Sequence, residues 1–587
     1  MAKFFKYLLA SFLGCIVALF IMFSIMMGIF SAMASFGNKP VAVKENTILR
    51  IDLDTKIVER SPQGTIPSFD YLNMQSKQVI GLNDILMSIR KAKEDPKIKG
   101  IYLNLTYIPA GIATVEEIRN ALLDFKESGK FIISYSDTYT QKAYYLATVS
   151  DQIYLNPLGD FIFKGMSSQI TFYKKALEKL DVDVQIIRHG KFKSAVEPFM
   201  MEGMSKENRE QTISYVGSIW NSLLKTISES RKLSESQLNE WIDKLEVHNA
   251  TSAKEKGLID GVRYYDEVLD ELKEKSGVES VEKLQFISLS KYRKAFSEKK
   301  QSKSGQKIAV IYAEGDIVMG SGSNDITSED FSKAIRKARK DTTVKAIVLR
   351  INSGGGSALA SDIISREVQL ASGIKPVIAS FGDVAASGGY YIATQADMII
   401  ADPTTITGSI GVFGMVPNLK GFMNKKLGLT FDEVVTNKHA DFVNPMRPLS
   451  AEERNLLQLS VEDIYDTFIT RVSTGRNMEK DSVDAIGQGR VWDAVAAKRL
   501  GLIDDFGGIS DAIRMAAEKA GISDYTVKEL PEQSNPLASL LSSLSEEMRM
   551  RTVQKELGEY YKHYHQLKYL IHSQGVQARM PYEIELY

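Results

Sequence analysis

The chain has 587 residues, more than one ordinary domain contains, and its 44% hydrophobic composition can supply a large core. Its 73 basic and 73 acidic side chains balance, which argues against nucleic-acid binding, because nucleic-acid-binding domains carry a basic excess. The single cysteine, Cys15, excludes an intrachain disulfide and a cysteine-based metal site, and the six histidines have no metal-binding spacing. No metal or other cofactor is expected.

The N-terminus predicts a membrane anchor. After Lys3 and Lys6, residues 7–36 contain no charged side chain. A bilayer core requires about 20 apolar residues in a helix, whereas a secretory leader has an apolar stretch of only about 7–15. The small residues at 31–35 resemble a cleavage site, so a cleaved leader is the alternative. The short basic head favours an orientation in which the bulk of the chain is translocated, although basic residues also follow the run.

The chain contains an internal duplication. Residues 98–157 align with residues 344–403 without a gap, at a constant offset of 246. Further on, GLIDG at 257–261 matches GLIDD at 501–505. Chance similarity does not hold register over this length, so the sequence predicts two related units of about 200 residues.

Each unit alternates short β-branched runs with longer helical patterns, which predicts βαβ units around a largely parallel sheet. In the second unit we expect strands at 344–351, 377–381 and 398–401, with helices at 358–370 and 387–395. The basic segment 291–307 contains no evident core residues and predicts a linker. After about 525, a polar break precedes a predicted helical tail that extends to about 572.

Ser387 is the candidate nucleophile. Alone, a serine before Gly388 and Gly389 would be interpreted as a helix N-cap. However, the second unit also carries NSGGGS at 352–357, directly after a strand, where glycine N–H groups could approach a developing oxyanion. The first unit has Ile-Pro-Ala at the triple glycine and Gln141 at the serine, so both features are absent from the same copy.

A serine nucleophile needs a base. His189 and His439 are the nearest histidine candidates, and neither lies in a recognisable motif. Aligning residues 180–199 with 427–446 places Lys193 opposite Ala440. The first copy thus has the lysine without the serine and the second the serine without the lysine, which predicts a Ser/Lys pair divided between the copies.

These segments resemble a known family. GDVAASGGYY (382–391), NSGGGS (352–357), TGSIGV (407–412) and GKFKSAVEPF (190–199) are similar to motifs of the long, tandem-repeat form of signal peptide peptidase A, the protease IV family. The resemblance extends from Lys3 to about residue 520. It implies an α/β fold made of two ClpP/crotonase-like domains after one transmembrane helix.

The resemblance also implies roles for individual residues. Ser387 would be the nucleophile, Lys193 the general base and Ser409 the residue that orients the lysine. We expect Gly355 and Gly388 to form the oxyanion hole, although Gly354 stands where many relatives have proline, which leaves the choice among the three glycines open. The predicted domains are an anchor at 1–46, the first repeat at 47–290, a linker at 291–307, the second repeat at 308–525 and a helical tail at 526–587.

The function implied is a membrane-anchored serine endopeptidase that degrades cleaved signal peptides and other unfolded apolar segments. Its expected location is the bacterial inner membrane, as a single-pass protein with the catalytic body on the extracytoplasmic side. A homo-oligomer, suspected to be a tetramer, is implied by the family, and the lipid bilayer is the expected partner of residues 7–36. The alternatives are a crotonase-like acyl-CoA enzyme and an inactive membrane scaffold.

Overall fold

A computed structural model describes residues 2–37, 41–62, 68–70, 75–77, 79–296, 303–322, 325–533 and 575–580. The chain begins with helix α1 (Ala2–Gly37). Within it, Lys3–Ile25 has a mean hydropathy of 2.6 and is not buried against the rest of the protein. This segment is long and apolar enough to cross a membrane.

The first repeat is built on a six-stranded sheet in the order β10-β8-β7-β6-β1-β11, in which every neighbouring pair is parallel. Its apolar, β-branched strands are buried, as expected for a parallel sheet covered by helices. The strands are β1 (Thr47–Ile51), β2 (Ile57–Val58), β3 (Ser68–Asp70), β4 (Gln75–Lys77), β5 (Ile80–Gly81), β6 (Ile98–Asn104), β7 (Phe131–Tyr139), β8 (Gln152–Phe161), β9 (Asp183–Arg188), β10 (Gly261–Val262) and β11 (Gln285–Ser288). The helices are α2 (Leu82–Glu94), α3 (Ile112–Lys126), α4 (Gln141–Ala147), α5 (Lys174–Lys179), α6 (Glu197–Met200), α7 (Lys206–Arg231), α8 (Glu235–Asp243), α9 (Ala250–Glu255), α10 (Tyr265–Ser276) and α11 (Leu289–Ala295).

The second repeat has an equivalent sheet in the order β21-β19-β17-β15-β12-β23, with β18 pairing with β17 and β22. Its strands are β12 (Lys307–Glu314), β13 (Ile317–Val318), β14 (Ile326–Thr327), β15 (Val344–Ser353), β16 (Gly355–Ser357), β17 (Val377–Ala386), β18 (Met398–Ala401), β19 (Ile406–Gly408), β20 (Phe413–Asn418), β21 (Val491–Asp493), β22 (Asp505–Phe506) and β23 (Thr526–Leu530), followed near the C-terminus by β24 (Gly575–Arg579). The helices are α12 (Ser328–Lys340), α13 (Ala358–Ser372), α14 (Gly388–Ala393), α15 (Ala451–Arg476), α16 (Lys480–Ile486), α17 (Ala494–Arg499) and α18 (Ile509–Lys519).

The duplication is visible in the element boundaries. Helices α2 and α12, and helices α3 and α13, begin and end at positions that differ by the same 246 residues found in the sequence. The strands predicted at 344–351, 377–381 and 398–401 are present as β15, β17 and β18. Strand β17 extends to Ala386, however, so Ser387 is the first residue after the strand.

A third sheet joins the two repeats, in the order β14-β13-β16-β24-β20-β9. Strand β9 of the first repeat pairs antiparallel with β20 of the second, with Arg188 opposite Phe413 and Asp183 opposite Asn418. The first repeat therefore contributes a strand to the second, and the chain that follows β9 is held beside the second repeat.

Polar contacts also link the two repeats. Arg350 of β15 is fully buried, and its guanidinium donates to the Glu59 carboxylate at 2.8 Å and also to Glu117. Asp383 accepts hydrogen bonds from the Thr114 backbone N–H at 3.0 Å and hydroxyl at 2.7 Å, at the beginning of α3. A buried arginine between two carboxylates strongly disfavours separation of its partners, because separation leaves buried charge unpaired.

Two segments differ from the sequence prediction. The expected linker at 291–307 begins within α11, where Tyr292 is buried and donates to the Asp95 carboxylate at 3.1 Å. The segment 526–587, predicted as a separate helical tail, includes two described strands: β23 pairs with β12 of the second repeat, and β24 pairs with β16 and β20. The helix predicted between the polar break and about residue 572 lies outside the described residues.

Candidate active site

Lys193 lies at the junction of the two repeats. Its side chain is fully buried, and Nζ lies 2.8 Å from the Ser387 hydroxyl oxygen. Nζ also donates to the Ser409 hydroxyl at 3.0 Å and to the Ser409 carbonyl at 3.1 Å. The three side chains predicted from the sequence therefore form one cluster, although Lys193 and Ser387 are 194 positions apart.

Local backbone geometry presents Ser387 to the lysine. Ser387 follows β17 and precedes α14 with φ 54° and ψ −114°, a combination that is costly for a residue with a Cβ. Its backbone N–H donates to the Gly408 carbonyl at 2.8 Å. Its side chain occupies the N-cap position of α14 but makes no capping hydrogen bond. The hydroxyl contacts Lys193 instead, so the N-cap interpretation of this serine is wrong.

Ser409 is held in an unusual conformation as well. It has φ 50°, and its N–H donates to the Arg490 carbonyl at 2.6 Å. This turn directs both the Ser409 carbonyl and its hydroxyl at the same amine. A single residue thus supplies two of the three described contacts of the Lys193 amine.

Burial lowers the pKa of Lys193 well below the usual lysine value. Desolvation disfavours the ammonium form, and no carboxylate among the described residues offsets it by pairing with this amine. Its described partners are hydroxyl and carbonyl oxygens, which bind an amine without fixing it as a cation. A buried lysine in these surroundings can exist as a neutral base.

Close packing around the lysine depends on glycines that the sequence analysis did not single out. A Cβ added at Gly489, where φ is +84°, would lie 2.5 Å from the Lys193 Cβ. A Cβ added at Gly411 would lie 3.3 Å from the Lys193 Cδ. Gly411 belongs to TGSIGV, so the motif contained a signal for it. The requirement for glycine at position 489 becomes visible only in the packed structure, where Lys193 of the first repeat lies against it.

The two glycines predicted for an oxyanion hole are adjacent in space. Gly355 has φ +100°, and a Cβ added to it would lie 2.6 Å from the Gly388 nitrogen. The Gly355 N–H donates to the Ser353 hydroxyl at 3.1 Å. At Gly356, an added Cβ would lie 2.1 Å from the Ile317 carbonyl oxygen. Glycine is therefore required at 356 so that β16 can pair closely with β13.

The histidine candidates lie elsewhere. His189 Nδ1 is 2.6 Å from a Glu462 carboxylate oxygen, and the ring stacks on Tyr465 at 3.7 Å. His439 contacts Glu452 and Glu453. Neither ring has a described hydrogen bond to Ser387, so the structure does not bring a histidine base to this serine.

The equivalent positions of the other repeat have a different use. The Gln141 side chain, opposite Ser387 in the alignment, accepts from the Gly165 N–H at 3.0 Å and ties the start of α4 to the chain that follows β8. Ala440, opposite Lys193, is exposed. The described residues contain no group of three or more His, Cys, Asp or Glu side chains able to hold a metal ion.

Comparison with known proteins assigns the chain to a family. The sequence profile of Peptidase family S49 matches residues 124–279 and 369–523. The chain belongs to this family. The first matched range contains Lys193, and the second contains both Ser387 and Ser409.

Full-length relatives agree with this assignment. Protease 4 of Haemophilus influenzae is 34% identical over 546 residues, which cover 89% of this chain and 88% of that protein. The chloroplastic serine protease SPPA of Arabidopsis thaliana is 34% identical over 523 residues, which cover 87% of this chain and 76% of that protein. Among solved structures, a ClpP1 mutant from Listeria monocytogenes is 14% identical, with 35% of this chain and 94% of that chain covered and a TM-score of 0.24.

This S49 chain is therefore a serine peptidase of the Protease 4/SppA group. The two family matches fall one in each repeat, which confirms the duplication inferred from the sequence. The predicted fold class is confirmed by these matches and by the two α/β sheets that follow an N-terminal apolar helix.

Proposed function

We propose that the protein is a membrane-anchored endopeptidase in which Ser387 is the nucleophile and Lys193 is the general base. The observation that carries this proposal is the 2.8 Å contact between the Lys193 amine and the Ser387 hydroxyl in a fully buried site. A nucleophile and a base within hydrogen-bond reach, with a third group that orients the base, form the minimum apparatus for acyl transfer.

The stereochemistry of a neutral amine fits this role. A neutral lysine has two N–H donors and one lone pair. The two donors match the Ser409 carbonyl and hydroxyl, at 3.1 and 3.0 Å, which leaves the lone pair for the Ser387 hydroxyl proton. In this arrangement Ser409 is a positioning residue that fixes the direction of the lone pair.

The reaction then proceeds in two acyl-transfer steps. As the amine takes the hydroxyl proton, the Ser387 oxygen attacks the peptide carbonyl carbon, and negative charge develops on the carbonyl oxygen. The N–H groups of Gly355 and Gly388 are placed to bind that oxygen, once the Gly355 N–H exchanges its hydrogen bond to Ser353 for the substrate. The ammonium gives its proton to the leaving amine nitrogen, and the amine next activates a water that hydrolyses the acyl-enzyme.

The proposed substrates are cleaved signal peptides and other unfolded apolar segments. An apolar helix at the N-terminus would confine the peptidase to the membrane surface where such segments accumulate. An extracytoplasmic body and assembly into an oligomer, suspected to be a tetramer, belong to the same proposal.

Paired substitutions test the dyad. Lys193→Met and Ser387→Ala should each abolish peptide hydrolysis while near-UV circular dichroism stays unchanged, and Ser387→Ala should also lose labelling by a fluorophosphonate. Lys191→Met is the matched control, because Lys191 lies two residues away and is exposed. Retained turnover in either variant would contradict the proposal.

A mixing experiment tests where the dyad forms. Both side chains come from one chain in the structure, so co-expressed Lys193→Met and Ser387→Ala proteins should remain inactive in mixed assemblies. Recovery of activity would place the two side chains on neighbouring chains.

A further inference from the structure

Gln211 of helix α7 has a buried amide that lies beside the lysine segment, residues 189–194, which follows β9. The Gln211 side chain is 1% exposed. Its amide nitrogen donates to the Phe192 carbonyl at 3.2 Å and to the Ser194 hydroxyl at 2.8 Å. One side chain therefore holds the residues immediately before and immediately after Lys193.

The other end of the same amide contacts the second repeat. The Gln211 amide oxygen accepts from the Val491 backbone N–H at 3.0 Å, and Val491 of β21 is paired with Gly408 of β19. The Gly408 carbonyl accepts the Ser387 N–H at 2.8 Å, and Ser409 is the next residue in the chain. Gln211 thus connects the lysine segment to the pair of strands that positions both serines.

The direction of the Gln211 amide is determined by its partners. A carbonyl only accepts and a backbone N–H only donates, so the amide nitrogen must face Phe192 and the oxygen must face Val491. Asn208, one helical turn earlier in α7, also accepts from the amide nitrogen, at 3.3 Å. The Asn208 amide donates in turn to the fully buried Glu197 carboxylate at 2.8 Å. These contacts fix the amide in one orientation.

The charged groups near this junction are less suited to the same role. Arg188 donates to the Lys193 carbonyl at 3.4 Å, a contact within the first repeat. Arg490 forms an ion pair with Glu210 of α7 at 3.0 Å, but the Glu210 side chain is 53% exposed, so solvent weakens this pair. A neutral, buried amide joins both sides of the junction without placing a charge beside an amine that the mechanism requires to be neutral.

We propose that Gln211 is a positioning residue that holds the lysine segment against strands β19 and β21, and so keeps the Lys193 amine within reach of the Ser387 hydroxyl. This inference rests on the proposed peptidase reaction, in which Lys193 is the base. Gln211 does not touch the reacting atoms and acts through the chain on either side of the lysine. The Phe192 N–H also donates to the Gln488 carbonyl at 3.1 Å, so loss of the amide loosens the segment without releasing it.

Gln211→Met tests the proposal, because methionine has a similar length and makes none of the four hydrogen bonds. At neutral pH, kcat for a fluorogenic peptide should fall by about 10- to 100-fold, since a misplacement of about 1 Å at a catalytic group costs about 100-fold in rate. KM should stay nearly constant. Water that reaches the loosened amine raises the pKa of Lys193 toward its ordinary value, so the inflection of the rate profile should move to higher pH.

Gln395→Met is the matched control. Gln395 is also a buried glutamine, and its amide donates to the Arg471 carbonyl of α15 at 2.9 Å. This variant should keep the wild-type kcat and the wild-type inflection. A Gln211→Met enzyme with unchanged kcat, or with the same loss of kcat at every pH, would overturn the proposal, as would equal losses in the two variants.

A second measurement does not depend on catalysis. In the Ser387→Ala background, hydrogen–deuterium exchange followed by mass spectrometry reports the opening of residues 189–196 and 488–493. Both segments should exchange several-fold faster when Gln211→Met is added, whereas strand β6, in the core of the first repeat, should not change. Unchanged exchange in both segments would refute the role of Gln211 even if Lys193 and Ser387 prove essential for hydrolysis.

Ser194→Ala provides a check should Gln211→Met unfold. It removes the closest acceptor of the Gln211 amide and leaves the Phe192 carbonyl in place. We expect kcat to fall several-fold at constant KM, with the inflection again moving to higher pH. A wild-type kcat in this variant, together with a folded circular-dichroism spectrum, would contradict positioning through Gln211.

Discussion

Ser409→Ala is the sharpest test of how the amine is used. The substitution removes the hydroxyl that lies 3.0 Å from Lys193 Nζ and leaves the Ser409 carbonyl contact at 3.1 Å. In the proposed mechanism the amine becomes an ammonium in the transition state. The lost contact is therefore a hydrogen bond to a developing positive charge.

The expected magnitude follows from that contact. A hydrogen bond to a charged group contributes about 1.5–3 kcal/mol, and each 1.36 kcal/mol corresponds to a tenfold change in rate. The rate of acyl transfer should therefore fall by about 10- to 150-fold. The variant should not be inert, because the remaining carbonyl still orients the amine.

The same loss changes the pH dependence in a defined direction. The Ser409 hydroxyl stabilises the ammonium more than the neutral amine, so its removal lowers the pKa of Lys193 further and moves the inflection of the rate profile to lower pH. The ratio of the wild-type rate to the Ser409→Ala rate should consequently be smallest at acidic pH and largest on the alkaline plateau.

The assay is the rate of fluorophosphonate labelling and of peptide hydrolysis between about pH 5 and 10, a range that begins at the lowest pKa values documented for buried lysines, about 5–6. Ser134→Ala is the control, since Ser134 is equally buried, in the first repeat, with its hydroxyl 2.7 Å from the Tyr139 hydroxyl. A rate loss in Ser409→Ala that is the same at every pH, or an inflection that moves to higher pH, would refute the assigned role.

Four further predictions concern the pH dependence of activity, the pH dependence of stability, backbone strain and the contact between repeats. Burial lowers the pKa of Lys193, so wild-type hydrolysis should rise with pH and inflect below the ordinary lysine value of 10.5; a flat profile across the same pH range, with chemistry rate-limiting, would exclude this base. At neutral pH Lys193→Met should unfold at a higher temperature than the wild type. The difference between the two unfolding temperatures should shrink as pH approaches 10.5, because between the lowered pKa of folded Lys193 and 10.5 only the unfolded wild type binds a proton at this amine. Ser387→Gly should unfold at a higher temperature than Ser387→Ala, by the equivalent of about 1 kcal/mol, since glycine tolerates φ 54°, and identical midpoints would show that the turn is unstrained. Arg350→Met should destabilise the protein by about 3–5 kcal/mol in urea unfolding, because the carboxylates of Glu59 and Glu117 lose their buried partner, and a midpoint within error of the wild type would contradict this.

The sequence allowed Ser387 and Lys193 to be predicted because the two repeats act as internal controls, whereas Ser409 was predicted from the family resemblance alone. Ser387 stood out against Gln141, and Lys193 against Ala440, and these comparisons needed no knowledge of the fold. The helices at 358–370 and 387–395 followed from periodicity, with ends that shifted by one to a few residues.

Other features depended on contacts distant in sequence. The requirement for glycine at 489 exists only because the Lys193 side chain packs against it. The pairing of β9 with β20 crosses between repeats, and the five residues of β24 are too few to give a recognisable strand pattern. Arg350 looks like any arginine in a strand until the carboxylates of the first repeat close around it. These are properties of the packed molecule, and local propensity carries no information about them.

The division of the site between the repeats has a consequence for how the protein is made. The amine side chain emerges with the first repeat, and the hydroxyl follows 194 positions later. The lysine becomes buried only when the turns at Ser409 and Gly489 have packed around it. A partly synthesised chain thus carries no assembled reaction centre. In the proposed mechanism, completion of folding is itself the step that switches the enzyme on, and neither half released by a premature stop or a proteolytic cut would be able to attack its neighbours.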